Sequence, residues 1–295
     1  MARDLARQSR LPGSASNPLI RGQMNHSYPV LFVSHGAPTF AMNPGPAGAE
    51  LAALGRELPS PRAIVIISPH WMARDGVRIT GSQSPETIHD FGGFPAAFYR
   101  LRYPAPGDPQ LAQQIQELLS ADGWSAAVDD HRGLDHGAWV PLLHLLPAAN
   151  VPVVQVSMPM PLDPSGALRF GKALRPLRDQ GVMIIASGSL THNLYEFRGA
   201  DGAVAPYVEA FADWTADALA REDLAALIDY RMQAPEAARA HPTDEHFLPL
   251  FIALGAAGDK YVLRKLRGGV AYGVLAMDSY VLSPSDIDSA KQALS

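Results

Sequence analysis

The chain has 295 residues, a hydrophobic content of 47% and a formal net charge of −5. This length is enough for a large hydrophobic core, and the mildly acidic balance argues against a protein that binds nucleic acid through basic patches. The absence of cysteine excludes disulfides, thiolate ligands and a cysteine nucleophile, so any metal ion must be held by His, Asp or Glu.

The N-terminal segment differs in composition from the rest of the chain. Its first 27 residues carry four arginines and no continuous apolar stretch, which argues against a secretory signal. We expect residues 1–27 to form a mobile tail and residues 28–295 to form one folded domain, with Met24 as an alternative start. No apolar run approaches the ~20 residues that span a bilayer, so we predict a protein without membrane association. The cysteine-free composition agrees with a cytoplasmic location.

Short apolar runs alternate with helical patterns along most of the chain. The apolar runs predict strands at 30–34, 63–68, 77–80, 126–129, 151–157 and 182–187. The segments between and after them predict helices at 47–57, 109–119, 140–146, 164–179, 206–220, 224–232 and 247–254. Two closing antiparallel strands are predicted at 261–266 and 270–281. This alternation is typical of an α/β fold, and we predict a single domain with a mostly parallel central sheet flanked by helices.

Three of the predicted strands end in a histidine or lead into one. His35 follows VLFVS directly, His70 follows AIVIISP, and His192 comes soon after the strand at 182–187. A further histidine, His246, begins the helix predicted after HPTDE. Side chains at the carboxyl ends of parallel strands converge in one crevice, so neighbouring first and second strands would let His35 and His70 share a metal ion. The alternative for each histidine is a core position, bonded to a backbone carbonyl.

Two other segments contain candidate residues for the same site. Glu245 competes with His246 as a ligand, because neighbouring helical residues point ~100° apart and only one of them can face the ion. His136 lies in the loop GLDHGAW between Gly133 and Gly137. The two glycines indicate either a close approach of the backbone to a neighbouring group or tight turns.

Seven segments, taken in order, resemble motifs of the class III extradiol ring-cleavage dioxygenases. The nearest branch is the single-subunit group similar to 4,5-DOPA dioxygenase, and the resemblance runs from about residue 29 to residue 280. It implies oxidative opening of the aromatic ring of a catechol-type substrate with O₂. The segments are SHGAP (34–38), SPHW (68–71), TIHDFGGFP (87–95), YPAPG (103–107), LDHGAW (134–139), ASGSLTHN (186–193) and PTDEHFLPL (242–250).

The resemblance also implies the residues of a metal site at the carboxyl ends of the strands. One divalent ion would be held by His35 and His70, with His246 and His192 completing or facing the site. The wider superfamily has a glutamate as third ligand, and we match His246 to that position. Fe²⁺ is the ion expected for ring cleavage, and histidine ligands also suit Zn²⁺ as a bound or purified form. The resemblance favours His192 as general base or fourth ligand and His136 as a donor on the substrate side.

Two other functions are compatible with such a metal site. A zinc-dependent hydrolase on the same scaffold would use Glu245 or His192 as base, and a metal-binding interaction protein would have no catalysis. For the dioxygenase, the expected partners are a small aromatic diol and O₂, without nucleic acid, and the oligomeric state is open. Phe91, Phe94 and Trp139 are candidates for packing against the substrate ring, with core positions as the alternative.

Overall fold

The computed structural model describes residues 27–199 and 202–285. The predicted tail at 1–27 lies outside the described residues except for Ser27, whose hydroxyl donates to the carboxylate of Asp179. The next residue, Tyr28, accepts a hydrogen bond of 2.8 Å from Arg178 Nε through its carbonyl. These two hydrogen bonds hold the start of the described chain against the 3₁₀ turns at Arg175–Gln180, just before the strand Val182–Gly188.

A mixed sheet of eight strands forms the centre of the molecule. Its strands are β1 (Val30–Ser34), β2 (Ala63–Ala73), β3 (Val77–Thr80), β4 (Ala126–Asp129), β5 (Val153–Pro159), β6 (Val182–Gly188), β7 (Tyr261–Leu266) and β10 (Ser279–Pro284). Their order across the sheet is β4-β3-β5-β2-β6-β1-β10-β7. The four central strands run parallel, while β3 and β10 flank them in the antiparallel direction. The predicted α/β fold with a mostly parallel sheet is confirmed.

Helices cover both faces of the sheet. They are α1 (Gly45–Glu57), α2 (Pro109–Ala121), α3 (His136–Leu145), α4 (Pro164–Leu174), α5 (Pro206–Ala220), α6 (Leu224–Ile228), α7 (Tyr230–Gln233), α8 (Ala237–Ala240) and α9 (Leu248–Ala257). One hydrophobic cluster joins α1 and α3 to the sheet, and a second joins α2, α4, α5 and α9 to the opposite face. Because β2 and β6 are buried on both faces, the first five residues of each strand form a continuous apolar run without polar alternation.

Several predicted boundaries were wrong for local reasons. The single strand predicted at 270–281 is interrupted by a short hairpin of β8 (Val270–Ala271) and β9 (Leu275–Ala276), because Tyr272 and Gly273 turn the chain with φ of 54° and 70°. The helix predicted at 224–232 is divided into α6 and α7. The helix predicted at 164–179 ends as α-helix at Leu174 and continues as 3₁₀ turns to Gln180.

The first two strands are not neighbours in the sheet, so the condition under which His35 and His70 were predicted to share a metal ion is not met directly. β6 lies between β1 and β2 and is parallel to both, so the carboxyl ends of all three strands still meet at one edge. β2 also continues to Ala73, which places His70 inside the strand, where the pairing with β5 shifts register between Ile67 and Met72. Within the described ranges, no helix is both long and apolar enough to cross a membrane.

Candidate metal centre

Three histidine side chains converge at the carboxyl end of β6. His35 follows β1 and is 1% exposed, His70 comes from the end of β2, and His246 lies in the turn before α9 rather than in the helix itself. The Nε2 atoms of His35 and His70 are 3.1 Å apart. One ring nitrogen from each of the three histidines lies within 4.8 Å of the others. A group of this size and chemistry can hold one metal ion.

The protein environment keeps these imidazoles neutral. Burial lowers the pKa of His35 and of His246 well below 6.5, and repulsion from neighbouring histidines lowers both pKa values further. Burial, followed by repulsion from His136, lowers the pKa of His70 to about 3, although Asp90 acts in the opposite direction. A neutral ring is the form of histidine that binds a metal ion, so the cluster is ready to coordinate near pH 7.

Hydrogen bonds to the outer nitrogens fix the tautomers of two of the rings. Ser187 in β6 donates its hydroxyl to the carbonyl of Gly137, so the same oxygen accepts from Nδ1 of His35 at 2.9 Å. Glu245 Oε1 accepts from Nδ1 of His246 at 3.2 Å. Both rings therefore carry hydrogen on Nδ1 and leave Nε2 with a free lone pair.

The inner nitrogen of His246 tests directly whether a metal ion fits this site. Its Nε2 atom is buried and has no hydrogen-bond partner among the residues that the structure describes. An unpaired buried acceptor costs about 1–3 kcal/mol, which a ligand at this position would recover. The orphaned atom, together with Nε2 of His35, which lies 3.1 Å from Nε2 of His70, gives a donor set that suits Fe²⁺ or Zn²⁺.

His192 lies beside His246 and outside the group formed with His35 and His70. The rings of His192 and His246 are stacked, with centroids 3.5 Å apart and planes at 7°. A nitrogen of His192 forms a separate possible ligand group with Glu245 and His246. Burial lowers the pKa of His192 to about 4, although Glu245 opposes the shift. Of the four predicted histidines, His35, His70 and His246 thus converge, and the ring of His192 stacks on that of His246.

Asp90 is a site residue that the sequence analysis missed. It lies in TIHDFGGFP, and its Oδ2 atom is 2.9 Å from Nδ1 of His136 and 3.7 Å from Nδ1 of His70. Burial alone would raise the pKa of Asp90, but the hydrogen bonds from the ring and the backbone amide of His136 outweigh it and lower the pKa to about 2. An acidic residue next to a histidine in this motif was the one sequence signal for Asp90. Its contacts with His70 and His136 were not predictable, because these residues are distant in the chain.

His136 begins α3 instead of lying in a loop, because Asp135 caps the helix by accepting from the amide of Ala138. The glycine that follows, Gly137, allows α3 to approach β2 closely. A Cβ atom there would lie 2.2 Å from Ser68 Oγ and 2.9 Å from Cδ2 of His70. Close approach, and not a left-handed turn, is therefore the reason for glycine at this position.

The aromatic candidates divide between the site and the core. Phe91 meets His136 edge to face at a centroid distance of 5.7 Å, and Phe94 packs against Phe91 at 5.3 Å. Trp139 is fully buried, and its Nε1 donates to the carbonyl of Ile88 at 2.8 Å. Trp139 is thus a core residue, whereas Phe91 borders the cluster of histidines.

The fold and the site define an α/β protein with a histidine-rich candidate metal centre at the carboxyl ends of parallel strands. The family model for the catalytic LigB subunit of aromatic ring-opening dioxygenase matches residues 30–276. The chain therefore belongs to this family of ring-opening dioxygenases, and the predicted resemblance is confirmed.

Relatives and a solved structure agree with this membership. The protein named 4,5-DOPA dioxygenase extradiol from Beta vulgaris is 39% identical over 255 residues, which cover 85% of this chain and 95% of that protein. The protein of the same name from Escherichia coli K12 is 35% identical, covering 84% of this chain and 92% of its own length. The crystal structure of the uncharacterized protein JW3007 from Escherichia coli K12 has a TM-score of 0.71 and 30% identity, covering 87% of this chain and 100% of that chain. These names support an extradiol ring-opening enzyme and do not favour the hydrolase.

Proposed function

We propose that this chain is a metal-dependent extradiol dioxygenase that opens the ring of a catechol-type substrate with O₂ and forms a ring-opened semialdehyde. The observation that carries the proposal is the buried, unpartnered Nε2 of His246, facing two further histidines in a chain of the ring-opening family. Because relatives bear the name 4,5-DOPA dioxygenase, DOPA is the first catechol to test.

The ligands that we assign are the Nε2 atoms of His35, His70 and His246. Glu245 is the weaker candidate, because its Oε1 atom already accepts from Nδ1 of His246 and from the hydroxyl of Thr243 at 2.9 Å. In this arrangement Glu245 orients the third ligand and does not compete with it. When bound, Fe²⁺ supplies open coordination positions and the redox capacity for O₂, which Zn²⁺ lacks. We therefore assign Fe²⁺ to the active enzyme and regard a zinc form as inactive in ring cleavage.

The remaining site residues handle protons and the substrate ring. A catechol hydroxyl has to lose a proton on binding, and a neutral histidine is a suitable acceptor. The place of His192 outside the three converging histidines supports the role of base over that of fourth ligand. Burial keeps this ring neutral before it takes up a proton, and Glu245 favours its protonated form. His136 lies against His70 with centroids 3.9 Å apart, so we assign it to the substrate side. Phe91 borders the same region and provides an apolar edge for the substrate ring.

The same proposal gives the partners of the protein, the extent of its catalytic domain and its location in the cell. The partners are a small aromatic diol and O₂, and residues 28–295 act as one catalytic domain. The cysteine-free composition supports a cytoplasmic location.

Anaerobic reconstitution followed by oxygen measurement tests the proposal. Metal-free enzyme is loaded with Fe²⁺ or Zn²⁺, mixed with a panel of catechols that includes DOPA, and then exposed to O₂. We expect O₂ uptake and a yellow product with Fe²⁺ alone. His246→Ala should lose both metal binding and activity, whereas His131→Ala, an exposed histidine, should keep both. Absence of O₂ uptake across the panel, together with zinc-dependent hydrolysis of ester substrates, would identify the hydrolase instead.

A further inference from the structure

Asp90 holds His136 at two points. Its Oδ1 atom accepts from the backbone amide of His136 at 2.8 Å, and its Oδ2 atom lies 2.9 Å from the ring nitrogen Nδ1. The Asp90 side chain is 20% exposed and that of His136 is 7% exposed, so the bond to the ring is largely shielded from water. One carboxylate thus fixes both the first turn of α3 and the ring that this turn carries.

The chemistry of the two groups determines the tautomer of the ring. An ionised carboxylate can only accept hydrogen bonds, so Nδ1 of His136 has to carry the hydrogen atom. The neutral ring then has its lone pair on Nε2, on the side away from Asp90. In that state His136 accepts a hydrogen bond through Nε2. This differs from the role of donor that the family resemblance suggested for His136.

Asp90 also contacts the candidate metal site. Its Oδ2 atom is 3.7 Å from Nδ1 of His70, and the rings of His70 and His136 pack at 3.9 Å. The carboxylate therefore lies between a proposed ligand and a proposed substrate-side residue. The 3.7 Å separation from His70 is too long for a hydrogen bond, so Asp90 orients His136 and leaves the proposed ligand to its other contacts.

We propose that Asp90 is a positioning residue that holds His136 as the Nδ1–H tautomer, so that Nε2 accepts a hydrogen bond from a hydroxyl of the aromatic diol. The inference rests on the proposed function for the identity of the substrate. Its structural part, the tautomer of His136, is independent of that function.

Asp90→Asn is the informative substitution. The amide oxygen can still accept from the backbone of His136, but the amino group replaces Oδ2 and can only donate to the ring. Nδ1 must then accept, so the hydrogen moves to Nε2 and the ring presents a donor where the substrate requires an acceptor. Asp90→Glu retains a carboxylate and should restore the original tautomer. Asp75→Asn, at a side chain that is 67% exposed, is the matched control.

The first readout is the ¹H–¹⁵N correlation pattern of the imidazoles in the metal-free protein, with His136 assigned by comparison with His136→Gln. We expect the Nδ1–H pattern in the wild type and in Asp90→Glu, and the Nε2–H pattern in Asp90→Asn. The second readout is metal content, which should stay at the wild-type value in Asp90→Asn because the proposed ligands are unchanged. The third is turnover with Fe²⁺, where kcat should fall by about 100- to 10,000-fold, the range that a correctly held proton-transfer histidine contributes.

The tautomer proposal for His136 and the proposed ring-opening function can fail independently of each other. A wild-type His136 that carries its hydrogen on Nε2 would overturn the tautomer proposal without any variant, so the test stands even where Asp90→Asn fails to fold. A kcat within twofold of the wild type in Asp90→Asn would also overturn it, and so would loss of metal. If the iron-loaded wild type opens no catechol ring, the proposed function fails while the tautomer assignment can still be measured.

Discussion

Gly137→Ala tests whether the close approach of α3 to β2 shapes the metal centre. The added methyl would lie 2.2 Å from Ser68 Oγ and 2.9 Å from Cδ2 of His70. Ser68 cannot rotate away freely, because it is fully buried and its hydroxyl accepts from the amide of His70 at 3.2 Å. The substitution should therefore displace the His70 ring as well as the helix.

Two opposing energies decide the effect on stability. Alanine is favoured over glycine in a helix by about 1 kcal/mol, while overpacking of a well-packed interior costs about 1–3 kcal/mol. Because the clash costs more than the gain in helix propensity, we expect the free energy of unfolding to fall by up to about 2 kcal/mol. Displacement of a ring next to the ion should weaken metal binding by about 10- to 100-fold.

Urea unfolding of the metal-free protein and metal titration against a chromophoric chelator measure the two effects. Gly92→Ala is the matched control, because a methyl added there has no neighbour within 4 Å. The double variant Ser68→Ala with Gly137→Ala lacks Ser68 Oγ, the atom closest to the added methyl, and should recover part of the lost metal affinity. Comparison with the two single variants gives the coupling free energy between positions 68 and 137. Wild-type stability and metal affinity in Gly137→Ala would show that the close approach of α3 does not shape the metal centre.

Two further predictions concern the surroundings of the cluster. Ser187→Ala removes the acceptor of Nδ1 of His35, so metal affinity by chelator competition should fall about 10-fold, and an unchanged affinity would mean that Ser187 does not orient the ring. Burial lowers the pKa of His241 to about 3, so as the pH falls below 6.5 the unfolded chain takes up a proton that the folded chain does not. Between pH 7 and pH 5 the metal-free wild type should thus lose about 2 kcal/mol more unfolding free energy than His241→Gln, in which the amide can still donate to the carbonyl of Leu190. Equal losses in the two proteins by urea unfolding would contradict this origin of the pH dependence.

Local sequence patterns were sufficient to predict the α/β fold and the place of His35 directly after β1, whereas His70 lies inside β2 because that strand continues to Ala73. The apolar runs of both strands end just before these histidines, and such runs are visible without knowledge of the partner strands. The strand order was not predictable in the same way. The placement of β6 between β1 and β2 depends on pairing between segments far apart in the chain.

Contacts within the site were equally hard to predict from local patterns. The contact of Asp90 with His136 joins residues 46 positions apart, and the stacking of His192 on His246 joins two loops. Neither contact leaves a signal in the neighbouring sequence. The start of α3 was predictable in principle, because Asp135 is a typical N-cap residue, but Gly137 in the first turn weakened the helical pattern.

Ring opening, as proposed for this protein, depends on one metal ion bound by His35, His70 and His246. Anomalous diffraction at the iron absorption edge, from crystals of the enzyme loaded with Fe²⁺ without oxygen, locates that ion. We expect a single strong peak about 2.1 Å from the Nε2 atoms of the three histidines. A peak coordinated by Glu245 in place of His246, or no peak between the three rings, would contradict this assignment.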